Sequence, residues 1–372
     1  MEKKILAVIV FSLLLFFLSY VCRNRKFLSN VLMAGASTLT ILLFVEFVYR
    51  TFFLQKMATD NVRPVSLYMP DSLLGYKYNQ PSVYTIVKSF SGEDTVYNTS
   101  YTILNDTFNS GTHFNFRKGY NSNSGNKEAV FLGCSLTFGQ GLADSQTLPY
   151  YYGAAANVST VNMACIGYGI HQVYQLFNLK FSQQDNHNRI FIYPFFYDHI
   201  LRANGLYNWN NSGPFWDIQD DTLVDRGPLY KFRKLKGDKW SFYLSLFGSF
   251  KVIKDNLHQI AYGTAVKNLS TADYDRCFLM LKDMAGKIAA SGGRLVILNW
   301  GIYNKFNTPL KYMSKEKVER NLDSLSRYGA MVIPVSSIIN LADKQNYIPS
   351  DGHPAAATNQ VIATWMAKNI KL

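Results

Sequence analysis

The chain has 372 residues, 48% of them hydrophobic and 17% charged, which excludes a disordered chain and leaves room for one large α/β domain with extensions. Thirty-eight Lys and Arg against 25 Asp and Glu give a formal charge of +13, yet the one basic block is Arg23-Asn24-Arg25-Lys26. Charge dispersed in this way, without a nucleic-acid motif, points to a membrane or an anionic glycan and away from nucleic acid.

Two apolar stretches open the chain. Residues 5–22 carry no charge and residues 27–49 follow the basic block; each approaches the ~20 residues that cross a bilayer as a helix. No small-x-small cleavage site follows the first stretch, and Val21 rather than a small residue precedes Cys22. Both facts argue against a signal peptide or a lipid-attachment site. The expectation is a hairpin of two membrane helices over residues 1–50. Lys3 and Lys4 on the tail balance Arg23, Arg25 and Lys26 in the turn, so charge alone leaves the orientation open.

Residues 51–127 are rich in polar residues and turn formers, with alternating runs at 82–87 and 95–104. They read as a small β-rich extension with hairpins, closed by a polar linker at 119–127. From residue 128 the pattern changes. Strands are expected at 129–133, 160–164, 189–193, 294–298 and 331–335, and helices at 147–156, 171–181, 272–290, 314–328 and 355–370. Repeated βα units of this length mean a parallel sheet with helices on both faces. Residues 200–270 break the rhythm and read as an insertion that shapes a substrate site. The four cysteines (Cys22, Cys134, Cys165 and Cys277) form no Cys-x-x-Cys pair; free buried thiols are expected, with no metal and no cofactor.

In an open parallel sheet, ligands bind beyond the carboxyl ends of the strands. Four segments fall at that edge: Ser135, the loop at Gly167, residues 194–199, and the loop holding Asp351 and His353. Ser135 follows the apolar run Ala129-Val130-Phe131-Leu132 and the turn Gly133-Cys134, and it opens a helix. There its oxygen meets free backbone N–H groups, the setting of an activated nucleophile. Asp351 and His353 supply the carboxylate and imidazole that such a serine needs.

In this order the segments resemble the SGNH (GDSL-type) hydrolases. Gly133-Cys134-Ser135-Leu136-Thr137-Phe138-Gly139 is similar to the block that carries the nucleophile. Asn162-Met163-Ala164-Cys165-Ile166-Gly167-Tyr168-Gly169 is similar to the second block, whose glycine donates an N–H to the oxyanion; Gly167 is the best match and Gly169 the next. Asp351-Gly352-His353-Pro354 is similar to the last block. The resemblance covers residues 128–372, and Leu74-Gly75-Tyr76 within 70–127 is similar to the leader of membrane-anchored bacterial members. It implies a flavodoxin-like three-layer sandwich, Ser135 as nucleophile, His353 as base, Asp351 as its orienter, and the N–H groups of Ser135 and Gly167 as the oxyanion hole. Two positions depart from the pattern. Cys134 stands where the family has aspartate, and Asp198, with His199 beside it, stands where an asparagine completes the oxyanion hole.

What the resemblance implies is an esterase acting on O-acyl groups of a cell-envelope glycan, with its catalytic domain outside the cytoplasmic membrane. An O-acyltransferase uses the same acyl-enzyme. A non-catalytic glycan-binding or assembly protein, and a lipid or thioester hydrolase, are the rival readings. Protein partners are not legible. Among the remaining candidates, Trp209 and Trp216 have the better claim to a sugar-stacking platform over Trp240 and Trp300. His171 is expected to cap a helix or lie on the surface, and His113, His187 and His258 to be surface residues.

Overall fold

The computed structural model describes residues 2–48, 58–63, 66–90, 94–107, 113–122, 126–232, 265–301 and 313–370. These fall into two compact units, one holding the first 48 residues and the other everything described from residue 58 onward.

The first unit is a pair of helices, α1 (Glu2–Val21) and α2 (Lys26–Val48). Ser19 Oγ donates to the carbonyl of Ser29 at 2.8 Å and Ser29 Oγ returns a bond to the carbonyl of Ser19 at 3.0 Å, which zips the pair together near its turn. Ser12 adds a bond to the carbonyl of Ala36 further along. Large apolar side chains such as Phe27, Ile41 and Phe44 remain exposed. Among the described residues, α2 is the one helix long and apolar enough to cross a membrane; the apolar part of α1, Val8–Val21, is shorter.

The second unit is built on a nine-stranded mixed sheet. Its parallel half uses β7 (Glu128–Phe131), β8 (Ser159–Asn162), β9 (Arg189–Phe195), β12 (Arg294–Asn299) and β13 (Ala330–Pro334), in spatial order β8-β7-β9-β12-β13. The order reverses between β7 and β9, which makes their carboxyl ends the switch point where a crevice opens. Side chains alternate across the sheet. Ala129, Phe131, Ile190, Ile192, Val296 and Leu298 share one core with α4 (Leu148–Ala156) and the C-terminal helix (Ala356–Asn369). On the other face Phe191 packs edge-on against Phe177 and Phe181, at the end of α5 (Ile170–Lys180). Phe195 there meets Phe278, from the helix Thr271–Ala290. Each such fully buried aromatic contributes about 1.5–3 kcal/mol.

The parallel sheet expected from the sequence is therefore half of a larger mixed one. Strands of residues 58–117 continue it: β1 (Ala58–Arg63), β4 (Ser82–Phe90), β5 (Thr95–Thr107) and β6 (His113–Arg117) pair antiparallel in the order β1-β4-β5-β6, and β6 joins β8 through Arg117 and Asn162. A short hairpin, β2 (Tyr68–Asp71) with β3 (Gly75–Tyr78), stands beside it. The region expected as an insertion contains α6 (Asp198–Ala203) and a second hairpin, β10 (Pro214–Gln219) with β11 (Thr222–Pro228); residues 233–264 lie outside the described residues. The helix expected over 314–328 ends as a regular α-helix at Ser324 and tightens into a 3-10 turn, Leu325–Tyr328, before Gly329 reverses the chain.

Candidate active site

The Ser135 turn is shaped by two glycines. Gly133 holds φ at +142°, and a Cβ there would lie 2.4 Å from Thr137 Oγ1. Gly139, left-handed at φ +81°, stops the helix α3 (Ser135–Phe138) after one turn. Ser135 is the first helical residue, so its N–H has no partner four residues back. Cys134 precedes it in extended conformation and is a buried free thiol. Burial raises its pKa, against the lowering pull of Arg202, so it is an uncharged packing residue.

His353 reaches this turn from the loop before the last helix. Its Nε2 lies 2.8 Å from Ser135 Oγ, and its Nδ1 lies 2.5 Å from Asp351 Oδ2. The loop is pinned by bonds from the N–H of Ile348 to the carbonyl of His353 and from the N–H of Gly352 to the carbonyl of Ile348. The Asp351 carboxylate is fully enclosed, and its second oxygen, Oδ1, accepts from Lys88 Nζ. Burial alone would raise its pKa, but the hydrogen bonds and charges of His353 and Lys88 outweigh that and hold it well below the usual carboxylate range.

Gly167 sits across the crevice with φ +87°. Its carbonyl accepts from Asn210 Nδ2 at 2.8 Å and from Trp209 Nε1 at 3.3 Å. On the preceding residue, Tyr76 donates to the carbonyl of Ile166 and Tyr78 accepts from its N–H. These four bonds fix the peptide planes, and no acceptor for the Gly167 N–H occurs among the described residues. A Cβ at Gly167 would lie 2.6 Å from Tyr76 Oη. Gly169, the second match, instead caps α5 and donates its N–H to Gln172 Oε1.

Asp198 and His199 part company. Asp198 lines the pocket, with Oδ2 2.6 Å from Arg202 Nε and Oδ1 accepting from the Tyr207 hydroxyl. Burial works against the Arg202 charge, but Asp198 outweighs it and holds the guanidinium protonated. The acid at this position is thus half of a neutral ion pair. His199 turns into the core, stacked on Tyr193 with Nδ1 2.7 Å from its hydroxyl. Burial, then the charges of Arg202 and His171, push its pKa far down, and it does not line the pocket.

His171 is a correction. Rather than lying on the surface, it is fully buried beneath Gly169 and Gly213, where a Cβ would come within 2.9 and 3.0 Å of its ring nitrogens. Burial, with Arg202 and Arg276 nearby, lowers its pKa to about 3, so it stays neutral. Trp209 lines the pocket, half exposed and 4.3 Å from the ring of Tyr207. Trp216 packs edge-on against Tyr174 instead, and Trp300 is core. His187 is exposed; Trp240 and His258 lie outside the described residues, as does the side chain of His113.

Sequence reasoning missed the support that residues 58–117 give to this site. Arg117 is fully buried and donates to the carbonyls of Phe138, Gly139 and Leu142 while Nε pairs with Asp144 at 2.9 Å. Tyr101 Oη accepts from the N–H of Gly141. With Tyr76, Tyr78 and Lys88, these residues hold the loops carrying Ser135, Gly167 and Asp351. The one signal was Arg117 itself, a charge inside a strand otherwise rich in phenylalanine.

The four segments enclose a pocket of about 620 Å³ lined by Ser135, Gly167, Asp198 and His353 together with Tyr68, Tyr76, Phe196, Tyr207 and Trp209. Among the described residues no cluster of His, Cys, Asp or Glu is placed to hold a metal ion.

No protein-family model matches the chain, and no curated protein matches it. Solved structures do. The likeness is to G-D-S-L, or SGNH-type, hydrolases. A lipolytic protein of the G-D-S-L family from Veillonella parvula DSM 2008 is 12% identical, covering 66% of this chain and 98% of that one, with a TM-score of 0.36. One assigned to the same family from Desulfitobacterium hafniense DCB-2 is 10% identical, covering 65% and 99%, with a TM-score of 0.36. An acetyl xylan esterase from the rumen bacterium Butyrivibrio proteoclasticus is 9% identical, covering 85% and 83%, with a TM-score of 0.37. At this distance the roles of residues stand on the geometry of this chain alone.

Proposed function

We propose that this chain is a serine-dependent hydrolase of ester bonds. The observation that carries the reading is the continuous relay from Ser135 Oγ through His353 to Asp351, opening into an aromatic-lined pocket. His353 Nε2 takes the proton from Ser135 Oγ as the oxygen attacks the ester carbonyl, and Asp351 keeps the imidazole in the tautomer with Nδ1 protonated. The N–H groups of Ser135 and Gly167 receive the oxyanion. His353 then gives its proton to the departing alkoxide, leaving an acyl-Ser135. Water attacks that ester with the same histidine as base; as the acyl–Oγ bond breaks, His353 returns the proton to Ser135 Oγ and the acid leaves.

The substrate proposed is an O-acylated cell-envelope glycan. Support comes from the half-exposed Trp209 beside Tyr207 at the pocket, a surface suited to a sugar ring, and from the basic charge of the chain. The same platform favours the second reading, an O-acyltransferase in which a sugar hydroxyl replaces water. The helices α1 and α2 are proposed to anchor the chain in the cytoplasmic membrane as a hairpin, with the catalytic unit outside. The test is release of acetate from O-acetylated and de-O-acetylated envelope polysaccharide by detergent-purified full-length protein. Acetate from the first substrate alone supports the reading. Transfer to added oligosaccharide without release favours the transferase, and neither outcome, in folded protein, favours the glycan-binding reading.

A further inference from the structure

The triad has a charged neighbour that comes from outside the α/β unit's own loops. Asp351 presents Oδ2 to His353 and Oδ1 to Lys88, whose ammonium is largely shielded and reaches in from β4, three strands beyond the parallel half of the sheet. Lys88 also lies over the ring of Tyr97, 5.8 Å from its centre. A carboxylate held by a cation on one oxygen cannot swing away from the imidazole on the other. The same cation draws on the negative charge that would stabilise a protonated imidazole.

We infer that Lys88 is a positioning residue for the triad: it fixes the Asp351 carboxylate against His353 and sets the pH at which the histidine begins to act as a base. This inference rests on the reading of Ser135 as a reactive nucleophile. Among the described residues, Lys88 from β4 meets the Asp351 carboxylate and Ser135 from α3 meets the His353 ring. Across the pocket stand the tyrosines of β2 and β3 and the Asp198–Arg202 pair with Tyr207. Among the described residues, Lys88 is the cation paired with Asp351, whereas Arg202 across the pocket is paired with Asp198.

The experiment follows the rate of Ser135 labelling by a fluorophosphonate against pH in full-length protein, comparing wild type with Lys88→Met and Lys88→Arg. Labelling needs His353 deprotonated, so the rate rises with pH along an acid limb. Removing the cation makes His353 hold its proton more tightly. The limb of Lys88→Met should therefore move up by about 0.5–1 pH unit, less than the shift a directly paired charge causes because the carboxylate stands between. Lys88→Arg keeps the charge and should keep the wild-type limb. A residue with only a structural role would lower the rate evenly at every pH. An unmoved limb in Lys88→Met, or equal shifts in both variants, overturns the inference; Lys88→Gln replaces the methionine variant if that one does not fold. Wild type that fails to label overturns the nucleophile reading instead.

Discussion

Arg117 Nη1 donates to the carbonyl of Phe138 at 2.7 Å, closing the C-terminal end of the single helical turn that begins with Ser135. A one-turn helix leaves its last carbonyls unsatisfied, and here one guanidinium collects that of Phe138 together with those of the capping Gly139 and of Leu142 beyond it. Its Cζ lies 4.4 Å from the ring centre of Tyr101 and 4.6 Å from that of Phe138, while its charge is met by Asp144. The strand β6 thus carries the support of the Ser135 turn.

Arg117→Met should therefore cost stability and activity together. Removing one partner of a buried ion pair costs about 3–5 kcal/mol. Urea unfolding should show a loss of that order, and ester hydrolysis in the remaining folded protein should fall. A variant with wild-type stability would remove Arg117 from this role.

Gly167→Ala tests the second side of the site. The added methyl meets Tyr76 Oη, and φ +87° is strained for alanine. If the N–H is turned from the oxyanion, kcat should fall about 100–1,000-fold with KM little changed. Pairing it with Tyr76→Phe relieves the contact and should recover part of the loss.

Arg202 and Asp198 should behave as a coupled pair. Arg202→Met leaves a carboxylate facing a developing oxyanion and should reduce kcat about 10- to 1,000-fold. Adding Asp198→Asn to that variant removes the charge and should restore activity. Additive losses in a double-mutant cycle would mean that neutralisation is not what Arg202 provides.

The Asp351 carboxylate predicts an acid-sensitive fold. Its folded pKa lies below the unfolded value of about 3.9, so it contributes stability above that pH and loses it as pH falls through the folded value. Wild type should be more stable than Asp351→Asn at neutral pH, and the gap should narrow below about pH 4. Denaturant midpoints across pH 2–7 read this directly, and a constant gap would deny the linkage.

The parallel half of the sheet was legible because strands buried on both faces read as unbroken apolar runs, as at Ala129-Val130-Phe131-Leu132. The carboxyl ends of those strands then placed Ser135, Gly167, Asp198 and His353 at one edge, and the structure sets all four on one pocket. What pairing alone decides was not legible. Residues 82–117 alternate as any hairpin does, and nothing in Lys88 or Arg117 tells which loop each will reach. His171 looked like a surface cap because its burial depends on Gly213, 42 residues further on, leaving room for its ring. Asp198 stood only as a departure from the family's asparagine, because its pairing with Arg202 is visible only once helix α6 brings the two to one side.

The central claim is that Ser135 is an activated nucleophile. Full-length protein in detergent should be incubated with a fluorophosphonate probe, wild type beside Ser135→Ala and His353→Ala, and the labelled peptide mapped. Stoichiometric labelling of Ser135 in wild type, absent in Ser135→Ala and strongly slowed in His353→Ala, is the predicted result. Folded wild type that takes no label, or a label that persists in Ser135→Ala, would contradict the account.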